Sequence, residues 1–308
     1  MTRRCEASGL LATYMYYPPA QERRLDGRMH EFWVSADGCR LRYIRCNSPE
    51  AGSPTRPPIL LVHGLLGYAF SWRFNMQALA QESPVYAVDL PGVGFSERPA
   101  RLDRSFKGIA NIVRRSLDEA GIRSFDLIGT SHGGAVAMML AAAVPNRVRR
   151  LVLVASVHPW LRRGRRRISF LSSALGGFAF RSLWPCVAPL NSYFLSRMYG
   201  DPKKLTRETL AGYAAPLRIH GTCDHLVGVV RRWNADLQEL EHALPAIASI
   251  PTLLLWGDRD TAVPVASADT LKRQFQHADL MVMKGAGHLP YEEVPDEFNA
   301  AVRGFLRQ

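Results

Sequence analysis

Ser131 is the first residue whose setting points to chemistry. It lies in Gly129-Thr130-Ser131-His132-Gly133, after the apolar run Phe125-Asp126-Leu127-Ile128 and before the small-residue stretch Gly134 to Met139. A strand that reverses into a helix around G-x-S-x-G is a nucleophile elbow. Gly129 and Gly133 flank the serine because a β-carbon there would clash as the chain turns. The turn lifts Ser131 Oγ to a helix N-terminus, whose dipole favours developing negative charge. The hydroxyl is a weak nucleophile by itself. It needs a base, and the base needs an orienting acid.

His288, in Gly285-Ala286-Gly287-His288, follows the last apolar run and sits on a loop from which an imidazole can reach over strand ends. His30, His158, His220, His225, His242 and His277 lack that setting, and His132 should turn its ring away from Ser131 Oγ. For the acid, Gly257-Asp258-Arg259-Asp260 follows the run ending at Trp256, and either aspartate could serve. The stretch Ala155 to Trp160, after another apolar run, holds no carboxylate and removes the other common placement. The chain order serine, aspartate, histidine differs from that of chymotrypsin and of subtilisin.

These residues need a scaffold of alternating strands and helices. Pro58–Val62, Pro84–Val88, Phe125–Ile128, Leu151–Val154, Thr252–Trp256 and Leu280–Met283 read as strands, most of them buried on both faces. Glu31–Ser35 and Arg40–Arg45, split by Asp37-Gly38, read as a hairpin. Helical patterns cover about 71–81, 105–120, 132–143, 266–275 and 296–307. That alternation predicts an α/β fold with a mainly parallel, eight-stranded sheet flanked by helices. The reactive residues should line the C-terminal edge of its strands. Residues 157–249 break the alternation with amphipathic, aromatic-rich stretches, and are expected to form a helical cap after the sixth strand. Residues 29–156 and 250–308 then form the core around it, and residues 1–28 an extension without clear periodicity.

Composition narrows the classes. The 308 residues are 47% hydrophobic and 21% charged, ample for a core and unlike a disordered chain. No repeat and no uncharged apolar run of spanning length occurs. Five cysteines (Cys5, Cys39, Cys46, Cys186, Cys223) without C-x-x-C spacing suggest neither a disulfide framework nor a metal site, and fit a reducing compartment. Arg3-Arg4 before an apolar stretch loosely imitates a signal peptide, but Glu6 and Pro18-Pro19 disrupt it, so a cytoplasmic protein is expected. The net charge is +12, and residues 155–249 hold 13 basic against 6 acidic side chains. No zinc-finger, RNP-like or basic-zipper pattern accompanies this charge, so nucleic acid is not an expected partner. Arg162 to Arg167, followed by Ile168-Ser169-Phe170-Leu171, is either a solvated face or a candidate for peripheral contact with an anionic membrane.

Over residues 30–308 the chain resembles the α/β-hydrolase superfamily. The resemblance rests on His63-Gly64-Leu65-Leu66-Gly67, Asp89-Leu90-Pro91-Gly92-Val93-Gly94-Phe95-Ser96, the elbow, Gly257-Asp258-Arg259-Asp260 and Gly287-His288. It implies a triad of Ser131, Asp260 and His288, with Asp258 left as a turn residue. It also implies an oxyanion hole from the backbone N–H groups of Leu65 and His132, with Gly64 in the loop and Asp89 and Ser96 organising the turn beside it. Haloalkane dehalogenases and epoxide hydrolases carry an aspartate nucleophile where this chain has Ser131. Meta-cleavage hydrolases usually show a different stretch after His-Gly.

The loop looks most like that of the esterase and lipase-like branch, which implies cleavage of a small-molecule ester through an acyl-enzyme, with no cofactor or metal. The alternatives are a C–C or other acyl hydrolase on the same triad, or a binding protein on this scaffold. Leu66 and Trp72 near the loop, and Phe170, Phe178 and Trp184 in the cap, are candidate substrate contacts, unless the cap aromatics only pack its own core.

Overall fold

The computed structural model describes residues 23–47, 56–161, 164–187 and 190–308. Its strands are β1 (Arg23–Asp26), β2 (Met29–Ala36), β3 (Cys39–Cys46), β4 (Ile59–Val62), β5 (Val85–Val88), β6 (Phe125–Thr130), β7 (Val148–Val154), β8 (Thr252–Gly257) and β9 (Ala278–Met283). Helices follow in chain order: α1 (Met76–Leu79), α2 (Phe106–Glu119), α3 (Ser131–Ala143), α4 (Arg165–Ser172), α5 (Ala174–Val187), α6 (Asn191–Ser196), α7 (Arg207–Ala214), α8 (Thr222–Ala243), α9 (Ala268–Lys272), α10 (Pro290–Glu293) and α11 (Pro295–Arg307).

The sheet has nine strands among the described residues, in the order β1-β2-β3-β5-β4-β6-β7-β8-β9, one more than the eight expected. The extra strand is β1, inside the segment read as an extension. Its sequence Arg-Arg-Leu-Asp has no apolar alternation, and it pairs antiparallel with β2 at the sheet edge, where pairing needs no buried face. The hairpin β2–β3 is antiparallel, as is β3 against β5, and the strands from β5 through β9 run parallel. No strand interrupts the described residues between β7 and β8, where α4 to α8 form a helical insertion.

Every residue of β4, β6 and β8 is buried. Alternate side chains enter two separate cores, one on each face of the sheet. Leu60, Val62, Leu127, Leu151 and Leu153 join α2 and α3 on one face. Ile59, Leu61, Ile128, Val152 and Val154 join Trp72, Tyr291 and Phe298 on the other. Each such side chain contributes about 1.5–3 kcal/mol on burial, so the period-two pattern locks strand register.

The strand order places the site. After β4 the chain adds β5 on one side, then crosses to add β6 on the other, which makes β4 a topological switch point where a crevice opens beyond the strand ends. Val62 pairs with Gly129, so the segment after β4 runs beside the one that carries Ser131. Gly257 pairs with Met283, so the loops carrying Asp258 to Asp260 and Gly285 to His288 also emerge together.

Candidate active site

Ser131 is the first residue of α3 and holds φ at +53°, a left-handed backbone that a β-carbon makes costly. Packing around the elbow maintains it. A β-carbon on Gly133 would lie 2.0 Å from the His63 carbonyl oxygen, and one on Gly129 would lie 2.7 Å from both the Ala137 β-carbon and the Gly133 oxygen. The elbow therefore touches the loop after β4 backbone to backbone. Gly64 closes the other side, where a β-carbon would meet the Ser131 β-carbon at 3.2 Å.

His288 Nδ1 lies 2.8 Å from Asp260 Oδ2, and both side chains are buried. The other carboxylate oxygen, Oδ1, accepts from the N–H groups of Ala262 at 2.8 Å and Val263 at 3.0 Å. A carboxylate held by these donors is a fixed acceptor, so Nδ1 of His288 is the donor of this pair and Nε2 faces elsewhere. Asp258 has a different task. Its Oδ1 accepts from the Gly285 N–H at 2.7 Å and ties the two loops together. No hydrogen bond joins Ser131 Oγ to the His288 ring among the described residues. The two side chains meet as walls of one cavity, and such contacts often tighten only when substrate binds.

The loop after β4 is organised by His63, which sequence reasoning quoted in a motif but left without a task. Its Nε2 accepts from the Leu90 N–H at 2.9 Å, so Nδ1 carries the proton and donates to the Gly64 carbonyl at 2.8 Å. Burial lowers the pKa of this ring and keeps it neutral for that double role. Leu66 follows at φ +60°. Asp89 braces the far side: its carboxylate accepts from the N–H groups of Ala69 at 2.7 Å and Phe95 at 2.9 Å, and its carbonyl accepts from Ser96 Oγ at 2.6 Å. The loop bearing Leu65 N–H is thus preorganised by His63, just after β4, and by Asp89 in the turn after β5.

The His132 ring packs among aromatic side chains of α2 and α8. It lies edge-on to Phe106 at 5.1 Å and stacks near Trp233 at 6.0 Å, and burial lowers its pKa to about 3. Its backbone N–H is at the start of α3, beside Ser131.

A cavity of about 420 Å³ opens over Ser131 and His288, with Leu65, Leu66, Phe180 and Trp184 among its walls. Five of these wall residues, Leu65, Leu66, Phe180, Leu226 and Trp233, also line an adjoining chamber of about 280 Å³ between α4, α5 and α8. Leu66 and Trp184, two of the candidate contacts, are among the wall residues of the cavity over Ser131 and His288. Trp72, Phe170 and Phe178 are not among the wall residues. Trp72 is fully buried against Tyr291, ring centroids 4.6 Å apart, because the 3-10 turn Ala69–Trp72 packs on α10 and α11. Phe170 and Phe178 point outward, 57% and 68% exposed. Phe180, two residues on, takes the inward place.

The insertion is tied to the strand-end loops by groups that no sequence signal revealed. Glu293 accepts from the N–H groups of Gly287 at 2.7 Å and Gly200 at 2.8 Å, joining the histidine loop to the insertion. The His288 N–H itself donates to the Met198 carbonyl at 2.7 Å. Glu292 is wholly buried. It accepts from Arg73 at 2.8 Å, from Tyr199 at 2.6 Å and from Tyr213, so one carboxylate joins the core, the histidine loop and two points of the insertion.

Among the described residues no group of three or more His, Cys, Asp or Glu side chains could hold a metal ion, and no helix is long and apolar enough to cross a membrane. The run Arg162–Arg163 lies outside the described residues.

Known proteins share this architecture. The dihydrolipoyllysine-residue acetyltransferase component of the acetoin cleaving system of Pseudomonas putida is 30% identical over 264 residues, 84% of this chain and 66% of that protein. The chain thus spans just under two thirds of that relative's length. Epoxide hydrolase 4 of Mus musculus is 26% identical over 295 residues, covering 89% of this chain and 78% of its own. The crystal structure of wild-type Cfl2 from Burkholderia cenocepacia superposes with a TM-score of 0.80 at 21% identity, over 94% of this chain and 99% of that one. The profile of the alpha/beta hydrolase fold matches residues 57–295, which include the elbow, both loops after β8 and β9, and the whole insertion between them. On that match and on the sheet order, the chain belongs to the α/β-hydrolase fold family.

Proposed function

We propose that the protein is a serine hydrolase that cleaves carboxylic esters of apolar acyl or aryl groups through an acyl-enzyme. His288 Nε2 takes the Ser131 Oγ proton as the oxygen attacks the ester carbonyl, and Asp260 holds the imidazole and stabilises its cation. The backbone N–H groups of Leu65 and His132 take the oxyanion of the tetrahedral intermediate. Two fixed donors of this kind contribute several kcal/mol of transition-state stabilisation. The histidine then returns its proton to the leaving alcohol. Water, deprotonated by the same Nε2, attacks the acyl-serine and releases the acid.

The observation that carries this reading is the Asp260–His288 pair at 2.8 Å, facing Ser131 across a single, mostly apolar cavity. The adjoining chamber behind Leu65 and Phe180 has room for the distal part of an acyl chain. Hydrolysis of p-nitrophenyl esters from acetate to palmitate tests it. Wild-type turnover should vanish in Ser131→Ala, together with labelling by a fluorophosphonate. Labelling of Ser131 without turnover of any ester would move the substrate to another acyl compound or a C–C bond. Neither labelling nor turnover would remove the catalytic reading altogether.

A further inference from the structure

Helix α5 is apolar on two opposite sides. Gly176, Gly177, Phe180 and Trp184 form its inner side: Gly177 approaches Val227 and Arg231 of α8, and the two rings face the cavity. At 100° per residue Leu175, Phe178 and Leu183 fall on the outer side, and they are 72%, 68% and 56% exposed. A helix with apolar side chains on opposite sides has a second apolar side to cover beyond the one that packs on the core. The pattern extends beyond α5. Of the ten large hydrophobic side chains left exposed among the described residues, seven lie between Phe170 and Phe194. Such a concentration marks an interaction surface rather than scattered surface apolarity.

Charge identifies the partner. Residues 161–200 contain seven arginines and no aspartate or glutamate. Arg167 on α4 and Arg197 just after α6 are exposed, while Arg181 on α5 pairs with Asp224 of α8 at 2.6 Å. A face with outward leucine and phenylalanine side chains and a one-sided excess of arginine matches an interfacial helix on anionic lipid, its side chains in the acyl boundary and its guanidinium groups at headgroup phosphates. A protein partner is the weaker match, since an interface core usually lacks so dense a set of like charges.

We propose that the outer face of α4, α5 and α6 docks on an anionic lipid surface. Phe194 belongs both to this face, at 48% exposure, and to the cavity wall, so the docked surface leads to the cavity over Ser131. An ester held at the lipid boundary would then enter along an apolar path. Docking itself does not depend on the reading of Ser131 as a nucleophile.

Sedimentation of the full chain as Ser131→Ala with vesicles tests the proposal without turnover. The protein is expected to pellet at low salt with phosphatidylcholine vesicles containing about one third phosphatidylglycerol, and to remain in the supernatant with phosphatidylcholine alone. High salt should release it. Leu175→Asp, Phe178→Asp and Leu183→Asp together should weaken binding by tenfold or more, roughly the loss of one fully buried side chain, with an unchanged thermal midpoint because all three are exposed. Failure to pellet with the anionic vesicles overturns the proposal, as does a triple variant that binds like its parent. A lipid-free dimer in light scattering that the triple variant turns into monomer also overturns it, and assigns the face to a second copy. Vesicle binding in a protein without esterase activity would leave this proposal standing and remove only the catalytic one.

Discussion

At the scale of single residues, the site depends on side chains whose polar atoms each have a fixed partner. His63 can accept from Leu90 and donate to Gly64 only as the Nδ1–H tautomer, and burial holds it neutral. Asp260 uses both oxygens, one on His288 and one on two backbone N–H groups. Asp260→Asn keeps the volume but can present an amide N–H towards Nδ1, which would place the histidine proton on Nε2. If Asp260 has the proposed role, kcat should fall by about three to four orders of magnitude with KM little changed, as steady-state kinetics on a reactive ester will show. Gly133→Ala tests the elbow. Its β-carbon would sit 2.0 Å from the His63 oxygen, so either the elbow or the loop after β4 must move. An overpacked buried site costs about 1–3 kcal/mol, and the urea midpoint should fall accordingly, with activity lost more completely than stability.

At the scale of elements, the insertion is held at its base by buried carboxylates. The Glu292 side chain is 0% exposed and the Arg73 side chain 5% exposed, so their ion pair has little water to fall back on. Glu292→Gln leaves the guanidinium buried without its counter-charge, a loss of about 3–5 kcal/mol. Urea unfolding should show that loss, and Arg73→Met in the same chain should recover part of it by removing the stranded charge. Glu293 has a narrower task. It joins Gly287 to Gly200, and burial raises its pKa above the usual carboxylate value. Glu293→Gln keeps one acceptor for two clusters of N–H donors, so the histidine loop should loosen. Faster amide exchange at Gly287 and Gly200 than in the parent is the expected readout.

At the scale of the whole molecule, buried histidines set the acid limit of the fold. Burial lowers His132 and His225 from 6.5 to about 3, and His158 from 6.5 to about 4. The unfolded chain takes up protons on these rings below pH 6.5 and the folded chain does not, so their contribution is complete above 6.5 and is lost as pH falls towards 3. Asp236 acts in the opposite sense: burial raises it from 3.8 to about 6, so the folded chain binds the extra proton between those values and gains stability on acidification. Burial lowers His63 too and raises Glu293 and Asp126, and the three rings with the large shifts outweigh the carboxylates. The urea midpoint should therefore fall steadily from pH 7 to pH 4.5, and His225→Gln should flatten that slope. An unchanged slope in that variant would show that His225 takes its proton in the folded state.

Local signals were enough for the alternation of strands and helices, for the elbow, and for the two strand-end loops that carry Asp258, Asp260 and His288. A buried parallel strand is a continuous apolar run, and G-x-S-x-G constrains five adjacent residues, so each can be read within a few positions. β1 escaped because an edge strand held by backbone pairing needs no apolar pattern. Phe180 rather than the expected Phe178 lines the cavity because α5 has apolar side chains on opposite sides, so its sequence does not say which side faces inward. Trp72 neighbours the loop after β4 in sequence but packs on Tyr291 and Phe298, more than two hundred residues later. Glu292 and Glu293 look like an ordinary acidic pair until the insertion folds over them. The amino-acid sequence by itself determined the candidate residues and the strands that carry them. Only the tertiary structure decided which side chains wall the cavity and how the insertion is held above it, because those depend on contacts between segments far apart in the chain.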